Sequence, residues 1–332
     1  MKVGIIGVGA VGTACAKAML LRGSCHEIVL IEKDDPQCQK RVEGVANDLS
    51  HGSVLCPPTR IRFGDYDDLA DAAIVVITAG INEQAGKAID PTDQRGRLLL
   101  LPHNAKIYEE IVPRLAAVAP HTIILVVTDP PDPLADVTCW RATETNPVIS
   151  SGTFLDSLRF RFQLAKRLEC HPSSVDALVI GEHGTSQVYV WSSARVGTEP
   201  VLAHLARMAQ AANKNWDENS VRAEIEHDVK FANIKIIEGT GASQHGIGIV
   251  TARLVEAILR DEGLVAPVGV FQEQFNVTLS LPSIIGKSGV SRVLEPQLSP
   301  EETEGLRKSA AAIDEALDTV PGFKTGYMKR SK

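Results

Sequence analysis

Lys2 to Gly12 reads KVGIIGVGAVG, and this stretch decides the fold. Lys2 to Ile6 is a short strand. Glycines follow at Gly7, Gly9 and Gly12, and then a helical pattern with Ala14, Ala18 and Leu21 on one side. GxGxxG alone says little, because glycines are common in loops. A strand before it, a helix after it and a second strand ending in an acid give the spacing its meaning. Glu27 to Ile31 is that second strand, and Glu32, 20 residues after Gly12, is that acid. Gly7 permits the tight turn, Gly9 lets the backbone approach a pyrophosphate, and Gly12 lets helix and strand pack closely. The helix N-terminus favours phosphate charge, and Val11 within the motif joins the cofactor-binding set. A carboxylate at Glu32 accepts both ribose hydroxyls and repels a 2′-phosphate, so the cofactor expected is NAD rather than NADP.

Further βα units follow. Ala73 to Thr78 and His121 to Thr128 are nearly all apolar, as parallel strands buried on both faces are. A helix from about Leu99 to Val118 lies between them, with Pro102 in its first turn and Pro113 placed to kink it. Val148 to Ser150 reads as a short final strand. Alternation of this kind predicts a doubly wound parallel sheet of the α/β class, with ligands at the C-terminal strand ends. Thr78, Ala79 and Gly80 sit at one such end and join the cofactor set. Thr128-Asp129-Pro130 sits at another.

Composition narrows the function. At 332 residues the chain is long enough for two domains. A net charge of −7 leaves no basic footprint for nucleic acid. No apolar run approaches a membrane span, and the first strand begins at once without a signal peptide. The six cysteines are scattered, with no CxxC and no metal-like cluster. The expectation is a cytoplasmic protein with reduced thiols and no metal.

Two phrases in the middle of the chain carry chemistry. Gly152-Thr-Phe-Leu-Asp156-Ser-Leu-Arg159 reads as a helix with Phe154, Leu155, Leu158, Phe162 and Leu164 as a loose apolar face. Asp156 and Arg159, three residues apart, share one side. Gly181-Glu-His183-Gly follows a β-like run from Val175 to Ile180. An arginine grips a carboxylate through two parallel hydrogen bonds. A histidine passes a proton to an oxygen, and an aspartate fixes its tautomer and stabilises its cation.

With a dinucleotide motif leading into these phrases, the chain resembles the L-lactate/L-malate dehydrogenase family, nearest its L-lactate side. The likeness spans almost the whole chain. It rests on GVGAVG, ITAGIN, VTDPPDPL, SGTFLDSLRFR, GEHGTSQV and EGTGASQHGIG. It implies a Rossmann NAD-binding domain over residues 1–149, with a substrate loop at about 81–98. It implies a C-terminal α+β substrate domain over 150–332. His183 would then be the proton donor in 2-oxo acid reduction, Asp156 its orienting acid and Arg159 the carboxylate binder. A loop arginine would polarise the 2-oxo group as the loop closes over the site. The partner implied is a small 2-oxo or 2-hydroxy acid, and the chain is expected to pair with itself as a homodimer or homotetramer.

The chain departs from the family pattern twice. Ala79 and Arg97 are 18 residues apart, a longer loop than is usual in the family. Arg97, seven residues before Asn104, keeps register with the next helix, and Arg95 is its competitor. The extra length suits a bulkier 2-oxo acid than pyruvate. Malate enzymes carry an arginine at the front of the loop for a second carboxylate. Here that position is Glu83, which repels oxaloacetate. The second departure is Asp129, where the family has asparagine. An ionised Asp offers no N–H donor, raises the pKa of a nearby imidazole and repels a substrate carboxylate. A displaced pH optimum, weaker catalysis or an altered substrate is expected.

In the second half, Asn213 to Lys235 reads as a charged helix pair at the surface or an interface. Ser243 stands where the family has threonine in the substrate pocket, which leaves room, and His245 is expected against the site wall. Strands at Val265–Val270 and Asn276–Leu281 precede a turn over Pro282–Gly289. A final helix opens at Ser299-Pro-Glu-Glu and ends before Pro321, followed by a frayed basic tail. Three other readings remain open: a malate dehydrogenase, an imino acid reductase on the same scaffold, and an NAD-binding sensor or assembly subunit without catalysis.

Overall fold

Runs of Val, Ile and Leu build the central strands, and pleating sends successive side chains to opposite faces. The structure is a computed structural model describing residues 1–86, 88–90, 92–93 and 95–324. The strands β1 (Lys2–Ile6), β2 (Glu27–Ile31), β3 (Arg60–Phe63), β4 (Ile74–Ile77), β5 (Ile123–Val126) and β6 (Val148–Ser150) are parallel, in the order β3-β2-β1-β4-β5-β6. The helices α1 (Ala10–Arg22), α2 (Pro36–Ser53), α3 (Leu101–Val118) and α4 (Pro131–Arg141) cover the two faces. On β4, Val75 and Ile77 join one core with Tyr108 and Leu134. Ile74 and Val76 join the other, with Met19 and Val255. This is the doubly wound sheet expected from the apolar runs.

The helix α5 (Phe154–Leu168) opens the second half. Short strands follow: β7 (Val175–Asp176), β8 (Val179–Ile180), β9 (Val188–Tyr189), β10 (Arg195–Val196) and β11 (Glu199–Pro200). Then come α6 (Val201–Ala211), α7 (Glu218–Lys230), α8 (Ala232–Thr240) and α9 (His245–Leu259), and finally β12 (Leu264–Gln272), β13 (Val277–Gly286), β14 (Gly289–Val293) and α10 (Pro300–Leu317). β12 pairs antiparallel with β6 at Gly269 and Ser150. The second half therefore continues the first sheet to nine strands rather than building a detached layer.

Several boundaries differ from the sequence expectation. Pro282 to Gly286 are strand, not turn. Pro282 lies opposite Pro267 in the ladder, so two residues without N–H donors face each other. The run Val175–Ile180 is two strands, because β7 pairs with β10 while β8 pairs with β9. On α5 the buried stripe is Ser157, Phe160, Leu164 and Leu168, whereas Leu158 and Phe162 are exposed. Phe160 stacks edge-on to Tyr189 at 5.3 Å and Trp191 at 4.8 Å, and this packing sets the rotation of the helix. A tight turn from Gly96 to Leu100 precedes α3, which runs through Pro113 as one helix. Ser299 and Glu302 form a capping box on α10, with Pro300 in the first turn. The basic tail, residues 325–332, lies outside the described residues.

One buried acid joins the two halves. Asp136 on α4 accepts from the backbone N–H of Thr278 on β13 and from its hydroxyl at 2.6 Å. Burial pushes its carboxyl up to about 7. The folded state therefore binds a proton more tightly than the unfolded chain, whose carboxyl titrates near ~3.9. Its contribution is complete below about pH 4 and is lost as pH rises through about 7, on the order of 4 kcal/mol. Urea midpoints measured from pH 5 to 8 should fall, and Asp136→Asn should flatten that slope. An unchanged slope in the variant would assign the pH dependence to another group.

Candidate active site

The glycine turn after β1 shapes a nucleotide cleft. Gly7 has φ +94°, and a Cβ on it would lie 2.4 Å from the backbone of Ala79. A Cβ on Gly12 would meet Gly7 O at 2.0 Å and the Thr78 hydroxyl at 2.8 Å, whereas around Gly9 nothing lies within 4 Å. Thr78 donates to Gly7 O at 2.5 Å. The backbone is thus pinned at Gly7 and Gly12 and open at Gly9, as a pyrophosphate needs. Glu32 ends β2 beside this turn and accepts from Val8 N at 2.9 Å. Arg41, not singled out in the sequence, donates to the same oxygen at 2.7 Å. A cleft of about 940 Å³ is bordered by Glu32, Tyr66 and Ile107. A smaller cavity of about 200 Å³ holds Glu83, Arg97, Asp129, Arg159, His183 and Ser243. The two share Gly9, Thr78, Gly80 and Ile81, and Val11 lines the smaller one. The residues fit an extended dinucleotide, from a ribose at Glu32 to a reactive ring near His183.

α5 and the turn after β8 bring Asp156, Arg159 and His183 together. Asp156 is 1% exposed, and one of its oxygens makes a short contact with His183 Nδ1. Its other oxygen accepts from Arg159 Nη1 at 3.1 Å. Burial opposes the Asp156 charge, but His183 and Arg159 outweigh it and hold the carboxyl well below the usual range. Burial likewise lowers the imidazole pKa, and the Asp156 charge overcomes it, so His183 stands above its ordinary value. With Nδ1 engaged, Nε2 faces the cavity. Arg159 also reaches Ser243 Oγ at 3.4 Å. His245 does not line this wall, because it lies exposed at the start of α9.

The loop before α3 supplies the opposite side. Arg97 is buried, with Nε 3.1 Å from Asp129 Oδ2 and 3.9 Å from Glu83 Oε1. Arg95 is exposed and pairs with Asp93 at 2.8 Å, away from the cavity. Burial opposes the Arg97 charge, and Asp129 and Glu83 more than compensate. Burial and the Asp129 charge push the Glu83 carboxyl up. Asp129 Oδ1 is 3.6 Å from His183 Nε2. Asp129 therefore stands between the imidazole and the loop guanidinium.

Three positioning residues escaped sequence reading. Asp132 accepts from His183 N at 2.7 Å and from the Ser150 hydroxyl at 2.6 Å, which fixes the backbone under the imidazole. Asn104 accepts from Ile81 N at 2.8 Å and donates to Asp129 O at 2.6 Å, tying the loop entrance to the Asp129 turn. Glu182 is buried beside His183 and accepts from Ser186 N at 3.1 Å. Asn104 had a signal: a polar residue on the buried face that Leu101, Ala105 and Tyr108 form.

Comparison with known proteins shows the family of the chain. The family model described as lactate/malate dehydrogenase, NAD binding domain, matches residues 1–149. The model described as lactate/malate dehydrogenase, alpha/beta C-terminal domain, matches residues 153–324. An L-lactate dehydrogenase of Deinococcus radiodurans is 40% identical over 313 residues, covering 94% of this chain and 97% of that one. An L-lactate dehydrogenase of Thermus aquaticus is 39% identical, covering 97% of this chain and all of that one. Among solved structures, a minor L-lactate dehydrogenase from Enterococcus mundtii in ligands-bound form superposes with TM-score 0.85 at 32% identity, covering 96% of this chain and 98% of that one. The chain belongs to the lactate/malate dehydrogenase family, and NAD is the cofactor of its N-terminal domain.

Proposed function

We propose that the chain is an NAD-dependent L-lactate dehydrogenase-type enzyme, reducing a 2-oxo acid reversibly to the L-2-hydroxy acid. The observation that carries this is the buried Asp156–His183–Arg159 group facing Arg97 across a cavity continuous with the Glu32 cleft. Bound NADH supplies the hydride that C2 receives. Arg159 holds the substrate carboxylate through its guanidinium fork. Protonated His183 donates from Nε2 to the C2 oxygen while Asp156 stabilises the cation. Arg97, buried in the cavity wall, polarises that oxygen. Glu83 beside Asp129 disfavours a second carboxylate on the substrate. Following NADH absorbance with pyruvate, 2-oxoisocaproate, phenylpyruvate and oxaloacetate tests the reading. Turnover of the monocarboxylates supports it. Oxaloacetate as best substrate defeats the specificity argument, and no turnover at all favours a non-catalytic NAD-binding protein.

Asp129 is expected to tune the proton donor. Reduction needs the protonated imidazole, so activity falls as pH rises through its pKa. Asp129→Asn removes a carboxylate 3.6 Å from Nε2, lowers the His183 pKa and moves the alkaline limb to lower pH. An N–H donor also replaces a repelling charge, so kcat/KM for pyruvate should rise. Identical profiles for variant and wild type would leave Asp129 without a role in the reaction.

Leu158, Phe162 and Ile249 are exposed apolar side chains on α5 and α9, and they support self-association as a homodimer or homotetramer. Light scattering decides this, with a mass of one chain as the refuting result. Among the described residues no helix is long and apolar enough to cross a membrane. Cys15, Cys25, Cys38, Cys56 and Cys170 are free thiols, which supports a reducing compartment such as the cytoplasm.

A further inference from the structure

The substrate cavity holds more acid than its reaction needs. Glu83, Asp129 and Asp156 face two guanidiniums, Arg97 and Arg159. Asp156 is occupied by His183 and Arg159. Glu83 and Asp129 share Arg97, and Asp129 also lies 3.6 Å from His183 Nε2. Arg97 is itself incomplete: its Nε is buried and makes no aligned hydrogen bond. A buried guanidinium with an open donor asks for an acceptor from a ligand. When Arg97 turns its donors to a substrate oxygen, Glu83 loses part of its one cationic partner among the described residues, and Asp129 keeps only the His183 imidazole undivided. A monocarboxylate with a neutral side chain adds one more negative charge and replaces none of that loss.

We infer that the cavity selects a 2-oxo acid whose side chain ends in a cation, an ammonium or a guanidinium, received by Glu83 with Asp129 behind it. This inference rests on the function proposed above and names its substrate class. Ser243, with its small side chain, lines the cavity and leaves room for a longer substrate. The electron count is that of the parent reaction. C2 gains a hydride from NADH, its oxygen gains the His183 proton, and the products are NAD⁺ and the 2-hydroxy acid with its cationic end unchanged. Glu83 is then a specificity-determining residue that touches the substrate side chain and takes no proton in the reaction.

The test is a near-isosteric pair in which a neutral C=O replaces the cationic C=NH2⁺: 5-guanidino-2-oxopentanoate and 5-ureido-2-oxopentanoate, with pyruvate alongside. The expected kcat/KM ratio of guanidino to ureido acid is at least about tenfold. Glu83→Gln should bring that ratio near one, with most of the change in KM. A wild-type ratio of one or less, or turnover of neither long acid while pyruvate is reduced, overturns the inference and leaves the parent function standing. A ratio that survives Glu83→Gln assigns the selection to another residue and overturns the role given to Glu83. Failure to reduce any of the three overturns both readings.

Discussion

His183→Gln is expected to lower kcat/KM for 2-oxo acid reduction by roughly 10²–10⁴-fold, the usual worth of a positioned general acid. Glutamine still fills the turn and can hydrogen-bond Asp156, so the fold around Asp132 and Ser150 should persist. It cannot deliver a proton. The loss should therefore lie in kcat, and the alkaline limb that His183 imposes should vanish from the pH profile. That second readout separates chemistry from misfolding, because a merely distorted site would keep its titration. A drop of less than tenfold with an unchanged profile would place the proton donor elsewhere.

Arg159→Leu should act on binding instead. A buried guanidinium–carboxylate contact is worth about 2–5 kcal/mol on truncation, so KM is expected to rise by roughly 30- to 5,000-fold. Leucine matches the stem of arginine but removes the fork and leaves Asp156 with His183 as its one cationic contact. Arg159→Lys keeps the charge without the bidentate geometry and should fall between the two. Urea midpoints of both variants show whether Asp156 tolerates the loss. A leucine variant with KM within threefold of wild type would remove Arg159 from carboxylate recognition.

Much of the architecture was legible because it rests on local rules. The glycines at 7, 9 and 12, the apolar run ending at Ile77 and the acid at Glu32 each report their own backbone. Asp156 and Arg159 were readable because helix spacing puts them side by side. Register against Asn104 pointed to Arg97, which lines the cavity, while Arg95 is exposed and pairs with Asp93. What escaped were contacts between remote segments. Asp132 holds the backbone of His183, 51 residues on, and Asn104 spans 23 residues to Ile81. No periodicity records such bonds. The outward turn of Leu158 and Phe162 was hidden for a similar reason. It follows from Phe160 seating itself between Tyr189 and Trp191, which the helix's own sequence does not contain.

The union of β6 and β12 through Ser150 and Gly269 makes the two halves one ladder, with Asp136 bolting α4 to Thr278 alongside. A clamshell opening would have to tear main-chain bonds inside a buried sheet.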